Sequence, residues 1–276
     1  MVSQNDSSLN PWDQLREGDT DETLNKRVHT LILRDDKCIV YLDDELYVEW
    51  NYNEDEIADE KGSGVVLNRI SLLESIPMRH LSTDNRVAFK RMVGEALARR
   101  LSQGDSSAAN QILDRAETFI NARNSEIARR WQLSAAAVVC AGAFFAGAIL
   151  WIKRESAISV LGTFAFGAVM GSCAGAVGAM TSLLLRIRQM SFDVSAGREA
   201  HLFDGATRVL AGMAGAFVVA LAERVNLIGG MVNSLPHPFA ALILVCVIAG
   251  ASERLVPDLI NRLEGTFHSG LRVEED

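Results

Sequence analysis

The chain has few of the residues that mark disulfide frameworks and metal sites. Its 276 residues include only four cysteines (Cys38, Cys140, Cys173 and Cys246). Three of these lie in apolar runs, where cysteine behaves as a small buried hydrophobe. The five histidines are scattered, and no CxxC, HExxH or GxxxxGK[ST] motif occurs. We therefore predict no disulfide, no metal, no cofactor and no enzymatic activity.

Basic residues are also in the minority, with 27 Lys and Arg against 35 Asp and Glu, for a net charge of -8. Nucleic-acid binding needs clustered Lys and Arg, so this composition argues against a nucleic-acid partner. The first 22 residues are polar and acidic, without the basic start and apolar core of a signal peptide. We predict that residues 1–22 are disordered and that the N-terminus stays in the cytoplasm.

Charge becomes sparse in the second half of the chain. Residues 1–130 hold 24 acidic and 17 basic side chains, whereas residues 131–276 hold 11 and 10 and are rich in Gly and Ala. Such a change in composition indicates two solvents, water and then lipid. The predicted fold class is therefore mainly α: a transmembrane helical bundle over residues 131–264, preceded by a small α+β cytoplasmic region, with a tail over residues 265–276.

Two apolar stretches are long enough to cross a bilayer. Trp131 to Trp151 is 21 residues without a charge, and Ala157 to Leu185 is 29 such residues. A hydrocarbon core of about 30 Å requires about 20 helical residues, and Trp favours the interface. Both stretches are predicted to span.

Two further stretches, near residues 205–222 and 238–256, are weaker. The first contains Arg208, and the second is short unless it continues through Glu253 and Arg254. The segment between them is interrupted by Gly and Pro, as in a loop or a re-entrant half-helix. We favour four spans, and the alternative is two spans with interfacial or re-entrant segments. Arg208 and Glu253 would meet at the same depth on antiparallel helices, either as an intramembrane ion pair or as separate side chains that snorkel to the headgroups.

Lys and Arg beside the spans predict the orientation. With both termini in the cytoplasm, nine of them lie on the cytoplasmic side and three outside. Lys153 and Arg154 are the evidence against this orientation. The basic juxtamembrane set comprises Arg123, Arg129, Arg130, Arg186 and Arg188.

The second span carries a face of small residues at Gly167, Gly171, Gly175 and Gly178. In lipid, helices associate through such faces because they let two backbones approach closely. Two roles remain open: packing within one subunit, or a self-association or pore-lining face in a homo-oligomer.

The soluble half begins with three β-branched or aromatic runs between residues 28 and 50, which predict a short β-meander within an acidic region over residues 23–80. Residues 53–64 are predicted to form an acidic loop. Residues 1–80 hold 18 acidic and 8 basic side chains, so this head should stand off anionic lipid and offer a surface to a cytoplasmic protein or ligand.

Helical periodicity starts at Ser82 and predicts a juxtamembrane αα-hairpin over residues 81–130. Gly104 would end the first helix, and Asp105 or Ser106 would start the second. No breaker separates the second helix from the first span, which would couple the head to the bundle mechanically.

Two regions of the chain resemble known proteins. The ending AGASERLVPDLINRLE, and a hairpin region that contains RMVGEALARRL, ILDRAETFI and ARRW, resemble those of a group of bacterial multi-pass inner-membrane proteins with a cytoplasmic N-terminal head. The resemblance covers residues 84–132 and 249–264, and it implies an inner-membrane location but no activity.

Three functions are compatible with these patterns. The first is a cytoplasmic head that controls an oligomeric bundle, as in membrane-permeabilising stress or antiphage effectors, an analogy of architecture alone. The second is a constitutive transporter or channel subunit, and the third is a non-conducting membrane scaffold.

Overall fold

The computed structural model describes residues 10–53, 60–186, 196–225 and 236–252. Within these ranges, four short strands precede six helices, and the chain divides into two compact units between Ile127 and Ala128. The strands are β1 (Thr20–Asp21), β2 (Lys26–Arg34), β3 (Cys38–Asp43) and β4 (Val48–Tyr52). The helices are α1 (Glu60–Glu74), α2 (Thr83–Gln103), α3 (Ser106–Ile152), α4 (Arg154–Arg186), α5 (Arg198–Arg224) and α6 (Pro238–Ala251). The predicted fold class, mainly helical with a small preceding sheet, is confirmed.

The strands form an antiparallel sheet in the order β1-β2-β3-β4. The Asp35 carboxylate accepts hydrogen bonds from the backbone N–H groups of Lys37 (3.0 Å) and Cys38 (2.8 Å), which fixes the turn between β2 and β3. All six residues of β3 are buried, because apolar side chains cover both faces of the sheet. The predicted β-meander over residues 28–50 is confirmed and gains β1 as a further strand.

The N-terminal segment covers one face of the sheet. Trp12 is 4% exposed, packs with Val28, Ile39 and Tyr41, and donates its indole N–H to the Asp35 carbonyl at 3.2 Å. Burying one Trp removes about 150–250 Å² from water, and Leu15 and Leu24 pack against the same cluster. The prediction of disorder is therefore wrong for residues 10–22, and residues 1–9 lie outside the described ranges.

Asp43 links β2 to the turn after β3. Its carboxylate is buried and accepts hydrogen bonds from Lys26 Nζ and the Tyr47 backbone N–H, both at 2.8 Å. Burial alone would raise the pKa of Asp43, but these hydrogen bonds outweigh it and lower the pKa. Asp43 therefore remains ionised at neutral pH and holds the two strands together.

Three helices cover the other face of the sheet. α1 buries Val66, Ile70 and Leu73 in the same core as α2. Lys90 on α2 donates to Glu74 on α1 at 2.6 Å, in an ion pair whose lysine is buried and whose glutamate is partly exposed. The acidic loop predicted for residues 53–64 is wrong for residues 60–64, which form the first turn of α1. Residues 54–59 lie outside the described ranges.

The caps of α2 and α3 agree with the sequence. Ser82 accepts a hydrogen bond from the Asn85 N–H at 3.4 Å, and Gly104 ends α2 in the left-handed region at φ 69°. The Asp105 carboxylate accepts from the backbone N–H groups of Ser107 and Ala108, both at 2.9 Å. The αα-hairpin is confirmed.

α3 is one uninterrupted helix of 47 residues. Its first part buries Leu113 and Ile120 in the core of the first unit, and its later part buries Ala136 and Ala143 in the second unit. The predicted continuity between the second arm of the hairpin and the first apolar stretch is confirmed.

The chain turns later than the sequence indicates. Helical hydrogen bonds cross the boundary at Lys153, from Lys153 N to Ile149 O (3.0 Å) and from Ala157 N to Lys153 O (2.9 Å). The helical backbone breaks instead at Gly162, at φ 77° and ψ 159°. Gly147 and Cys173 lie in contact, and residue 160 is midway between them in the sequence. The chain must therefore reverse direction near this break. Glycine is required at this break, since only glycine adopts this conformation without strain.

Three described helices, α3, α4 and α5, are long and apolar enough to cross a membrane. α6 is shorter: its 14 residues extend about 21 Å, against a hydrocarbon core of about 30 Å. Its described part ends at Ala251, where Ser252 adopts an extended conformation, and residues 253–256 of the span predicted near residues 238–256 lie outside the described ranges. Large apolar side chains on α3 are exposed, including Phe144 (61%) and Phe145 (64%), as expected of a surface that faces lipid.

Candidate functional site

The glycines of α4 form a seam against α5 and α6. A Cβ atom added at Gly171 would lie 2.6 Å from Cys246 Sγ. One at Gly175 would lie 2.7 Å from the Gly212 carbonyl oxygen, and one at Gly178 would overlap the Val247 carbonyl oxygen. At Gly167 the nearest atom, Leu242 Cδ2, is an ordinary 3.5 Å away. The approach of the backbones is therefore closest in the part of α4 that leads to Arg186.

Two further glycines face this seam from the neighbouring helices. A Cβ atom at Gly212 would lie 2.9 Å from the Gly250 carbonyl oxygen, and one at Gly250 would overlap the Gly175 carbonyl oxygen. Gly212 and Gly250 were not predicted from the sequence. The sequence signal for Gly212 was a small residue four positions later, Ala216, which is fully buried in the same bundle.

A polar contact joins α3 to α5. Gln132 is 1% exposed and donates its amide N–H to the Asp204 carboxylate. The backbones also approach closely here, since a Cβ atom at Gly205 would overlap the Gln132 carbonyl oxygen. Asp204 in turn accepts from Arg208 Nε at 3.1 Å. This α3–α5 contact, comprising Gln132, Asp204, Gly205 and Arg208, was not predicted from the sequence.

The predicted partner of Arg208 was Glu253, which lies outside the described residues. Within the described chain Arg208 forms an ion pair with Asp204, one turn earlier on the same helix, with side chains 40% and 46% exposed. The signal for that pair was the i,i+4 spacing of opposite charges. The Arg208–Glu253 ion pair stays a prediction.

The basic juxtamembrane residues belong to both units of the chain. Arg123 pairs with Glu126 at 3.1 Å and lies 5.4 Å from the centre of the Phe119 ring, in the first unit. Arg129 and Arg130 follow on α3, and Arg186 ends α4. Arg188 lies outside the described residues.

Aromatic rings of α3 and α4 stack on a ring at the start of α6. Trp151 stacks on Phe239 with ring centres 5.4 Å apart, and Phe166 stacks on the same ring at 6.3 Å. The Arg154 guanidinium lies 5.6 Å from the Trp151 ring centre. Aromatic and basic side chains of this kind anchor helices at membrane interfaces.

The described residues offer no group of three or more His, Cys, Asp or Glu side chains that could hold a metal. Ser172, in the GSCAG segment of α4, donates its hydroxyl to the Met213 carbonyl at 3.0 Å. Burial raises the pKa of Cys38 in the first unit to about 12, so this thiol stays protonated and unreactive at neutral pH.

The sequence matches no family model, and neither a curated protein nor a solved structure is detectably similar to it.

Proposed function

We propose that this chain is a bacterial inner-membrane protein in which the N-terminal unit controls the helical bundle through α3, and that the bundle works as an oligomer. Controlled permeation of the membrane, as in a stress effector, is the activity that this arrangement would serve. A fourth span through α6 and both termini in the cytoplasm belong to the same proposal.

One observation carries the proposal: α3 belongs to both hydrophobic cores. Leu113 and Ile120 pack with the first unit, while Ala136 and Ala143 pack with Val209 and Leu183 in the second. A helix without a break transmits rotation or translation along its axis, because each turn is hydrogen bonded to the next. A change in the first core would therefore reach the second.

The α3–α5 contact would receive that motion. Gln132 lies within the second unit, where both its side chain and its backbone carbonyl touch α5. Packed helices at such close approach shift between discrete arrangements rather than deform gradually. Displacement of α3 would therefore move α5, which is itself packed into the glycine seam.

A break in α3 tests this control in the full chain. Ser125→Pro removes a helical hydrogen bond and clashes with the carbonyl four residues earlier. The Ser125 hydroxyl itself donates to the Ala122 carbonyl of its own helix. We expect Ser125→Pro to change ion flux through proteoliposomes about 5- to 150-fold, the usual range of coupling between sites.

Ser125→Ala is the matched control, because it removes the same hydroxyl and keeps the helix intact. It should conduct like the parent at equal protein content per vesicle. Equal flux in the parent and both variants would reject control by the first unit and leave a constitutive channel or transporter. If the parent and both variants show no flux, the result would support a non-conducting membrane scaffold.

Reporter fusions test the proposed topology. Alkaline phosphatase, which is active only outside the cytoplasm, should be active when fused after Gly162 and inactive after Gly197 or at Asp276. Matching β-galactosidase fusions should show the opposite pattern. An active phosphatase at Asp276 would contradict a cytoplasmic C-terminus and the fourth span.

A further inference from the structure

β4 forms one edge of the sheet in the first unit. Its neighbour among the described residues is β3 alone, because the strand order is β1-β2-β3-β4. The opposite edge is covered, since β1 pairs with the start of β2 and the Glu17 carboxylate accepts from the Leu31 N–H at 3.0 Å further along that strand. The two edges therefore differ, and β4 is the one that no described segment covers.

The hydrogen bonds on either side of β4 fix which of its backbone groups point outward. The Asp43 N–H donates to the Tyr47 carbonyl at 3.0 Å, and the Asn53 N–H donates to the Lys37 carbonyl at 2.9 Å. Alternate residues of an antiparallel strand bond to the same neighbour. The odd-numbered residues of β4 therefore face β3, and the even-numbered residues direct their N–H and C=O groups away from it.

Two of the outward N–H groups can pair with another strand. Those of Val48 and Trp50 have no hydrogen-bond partner within the part of the chain that the structure describes, whereas the Asn51 side chain accepts from the Tyr52 N–H at 2.9 Å. β4 contains neither Lys nor Pro, and its register with β3 runs without a shift. These are the usual devices that keep an edge from pairing, and an edge without them is a template for a further strand.

The side chains of this edge suit an apolar neighbour. Trp50 is 36% exposed and Tyr52 is 39% exposed. Both lie on the same face as the buried Val48, because residues two apart in a strand share a face. Aromatic rings pair favourably with β-branched side chains on a neighbouring strand. An incoming strand should therefore place Val, Ile or Thr on this face.

The charge beside the edge is acidic. Asp44 and Glu45 are exposed in the turn that leads into β4, and Glu49 lies in the strand itself. Arg27 lies 3.9 Å from Asp44, and Lys26 lies 3.6 Å from Glu49. Ion pairs that are this long and open to solvent are weak, so the carboxylates can still attract cations.

Net charge decides between a second copy of the chain and another partner. Residues 1–80 hold 18 acidic and 8 basic side chains. Two copies of this region would repel each other edge to edge, whereas a basic segment would be attracted to it.

We propose that β4 binds an extended basic segment of a partner protein as a fifth strand, in which Lys or Arg alternates with β-branched residues. Its backbone would pair with Val48 and Trp50, its β-branched side chains would contact the rings of Trp50 and Tyr52, and its cations would lie on the side of Glu49. The inference goes beyond the proposed function, since binding at this edge requires neither ion flux nor coupling through α3.

A synthetic peptide tests the edge on the full chain in detergent. Fluorescence anisotropy measures the Kd of labelled Lys-Val-Lys-Val-Lys-Val-Lys, which has the required alternation. We expect saturable binding that weakens as salt is raised, and hydrogen exchange should slow at the Val48 and Trp50 amides. The peptide Lys-Pro-Lys-Pro-Lys-Pro-Lys has the same charge but lacks alternate N–H groups, and it should bind about tenfold more weakly or worse.

Variants of Trp50 place the binding at β4. Trp50→Lys removes the ring and adds a cation beside the peptide, so its Kd should rise about tenfold or more. Trp50→Thr removes the ring but adds no charge and keeps a strand-forming residue, so it should weaken binding less. Leu72→Lys is the matched control, because it makes the same change of charge at a side chain of α1 that is 69% exposed. It should bind like the parent, and thermal unfolding should show that all variants are folded.

Several results would overturn the proposal. Equal binding of the valine and proline peptides, or an equal loss of affinity in Leu72→Lys, would reduce the interaction to general attraction between opposite charges. A dimer of the parent that Trp50→Lys dissociates, without peptide binding, would assign the edge to a second copy of the chain. No binding by the parent would reject β4 as a docking edge, and the flux experiments would still judge the proposed function separately.

Discussion

Gly178→Ala is expected to destabilise the helical bundle by about 3 kcal/mol, the upper part of the range for overpacking substitutions. The added methyl group would overlap the Val247 carbonyl oxygen and lie 2.9 Å from the Ala251 nitrogen. Both atoms belong to the backbone of α6, so no side-chain rotation relieves the overlap. The two helices must move apart, and the neighbouring contact between Gly175 and Gly250 would open with them.

Gly167→Ala is the matched control on the same helix. Its methyl group would meet Leu242 Cδ2 at an ordinary 3.5 Å, so no backbone has to move. Alanine is the better helix former by about 1 kcal/mol, and the substitution should be neutral or stabilising. Thermal unfolding in detergent measures both variants. Equal melting temperatures for Gly178→Ala and Gly167→Ala would show that the small-residue face is not packed against α6.

The second large effect is expected at the contact between Gln132 and Asp204. Asp204→Ala leaves the buried Gln132 amide without its acceptor, and an unsatisfied buried polar group costs about 1–3 kcal/mol. Gln132→Leu should cost less, since Asp204 keeps Arg208 and the Gln132 Oε1 atom accepts no hydrogen bond among the described residues. In the double variant the buried amide donor of Gln132 is gone. Its loss of stability should therefore be smaller than the sum of the losses in the two single variants.

A double-mutant cycle measures this as a coupling free energy, for which we expect about 1.5–3 kcal/mol, the range for hydrogen bonds to charged groups. The reference cycle is Asp204 with Arg208, whose half-exposed i,i+4 pair should couple by about 0.5 kcal/mol or less. If the effects of Gln132→Leu and Asp204→Ala are additive, the two side chains are not energetically coupled. The contact would then not link α3 to α5.

The predicted ion pair between Arg208 and Glu253 can be tested in the same experiment. If these residues pair, Arg208→Gln and Glu253→Gln should each cost more than the two together, because either single variant strands a charge in a poor solvent. Additive effects would favour separate snorkelling side chains and leave Asp204 as the partner of Arg208.

The elements that the sequence predicts correctly are those with local causes. Ser82 and Gly104 cap α2 because their backbone and side-chain preferences act within one turn. The β-runs between residues 28 and 50 alternate with charged turns, and a turn such as Asp35 to Cys38 needs only its own hydrogen bonds. The apolar composition of the stretches after Trp131 indicates a lipid environment, and this inference does not depend on which segments pack against them.

The elements that the sequence misjudges depend on distant partners. Residues 10–22 look disordered by composition, yet Trp12 finds a surface on β2 and β3 that only the folded sheet provides. Lys153 and Arg154 look like the ends of two spans, but the charges do not fix where the helical backbone breaks, and the break falls at Gly162. The glycine pattern of α4 indicated close packing, but not that Gly178 meets backbone while Gly167 meets a flexible leucine.

By itself, the sequence determined the two solvents of the chain, its long apolar helices and the continuity of α3, because hydropathy and helix propensity are carried by each residue alone. Only the tertiary structure decided which small residues touch and that Gln132 meets Asp204. These are distances between segments far apart in the chain. They depend on the rotation and register of each helix. A periodic sequence pattern shows which face of a helix is packed, but it does not show which residue on that face meets which partner.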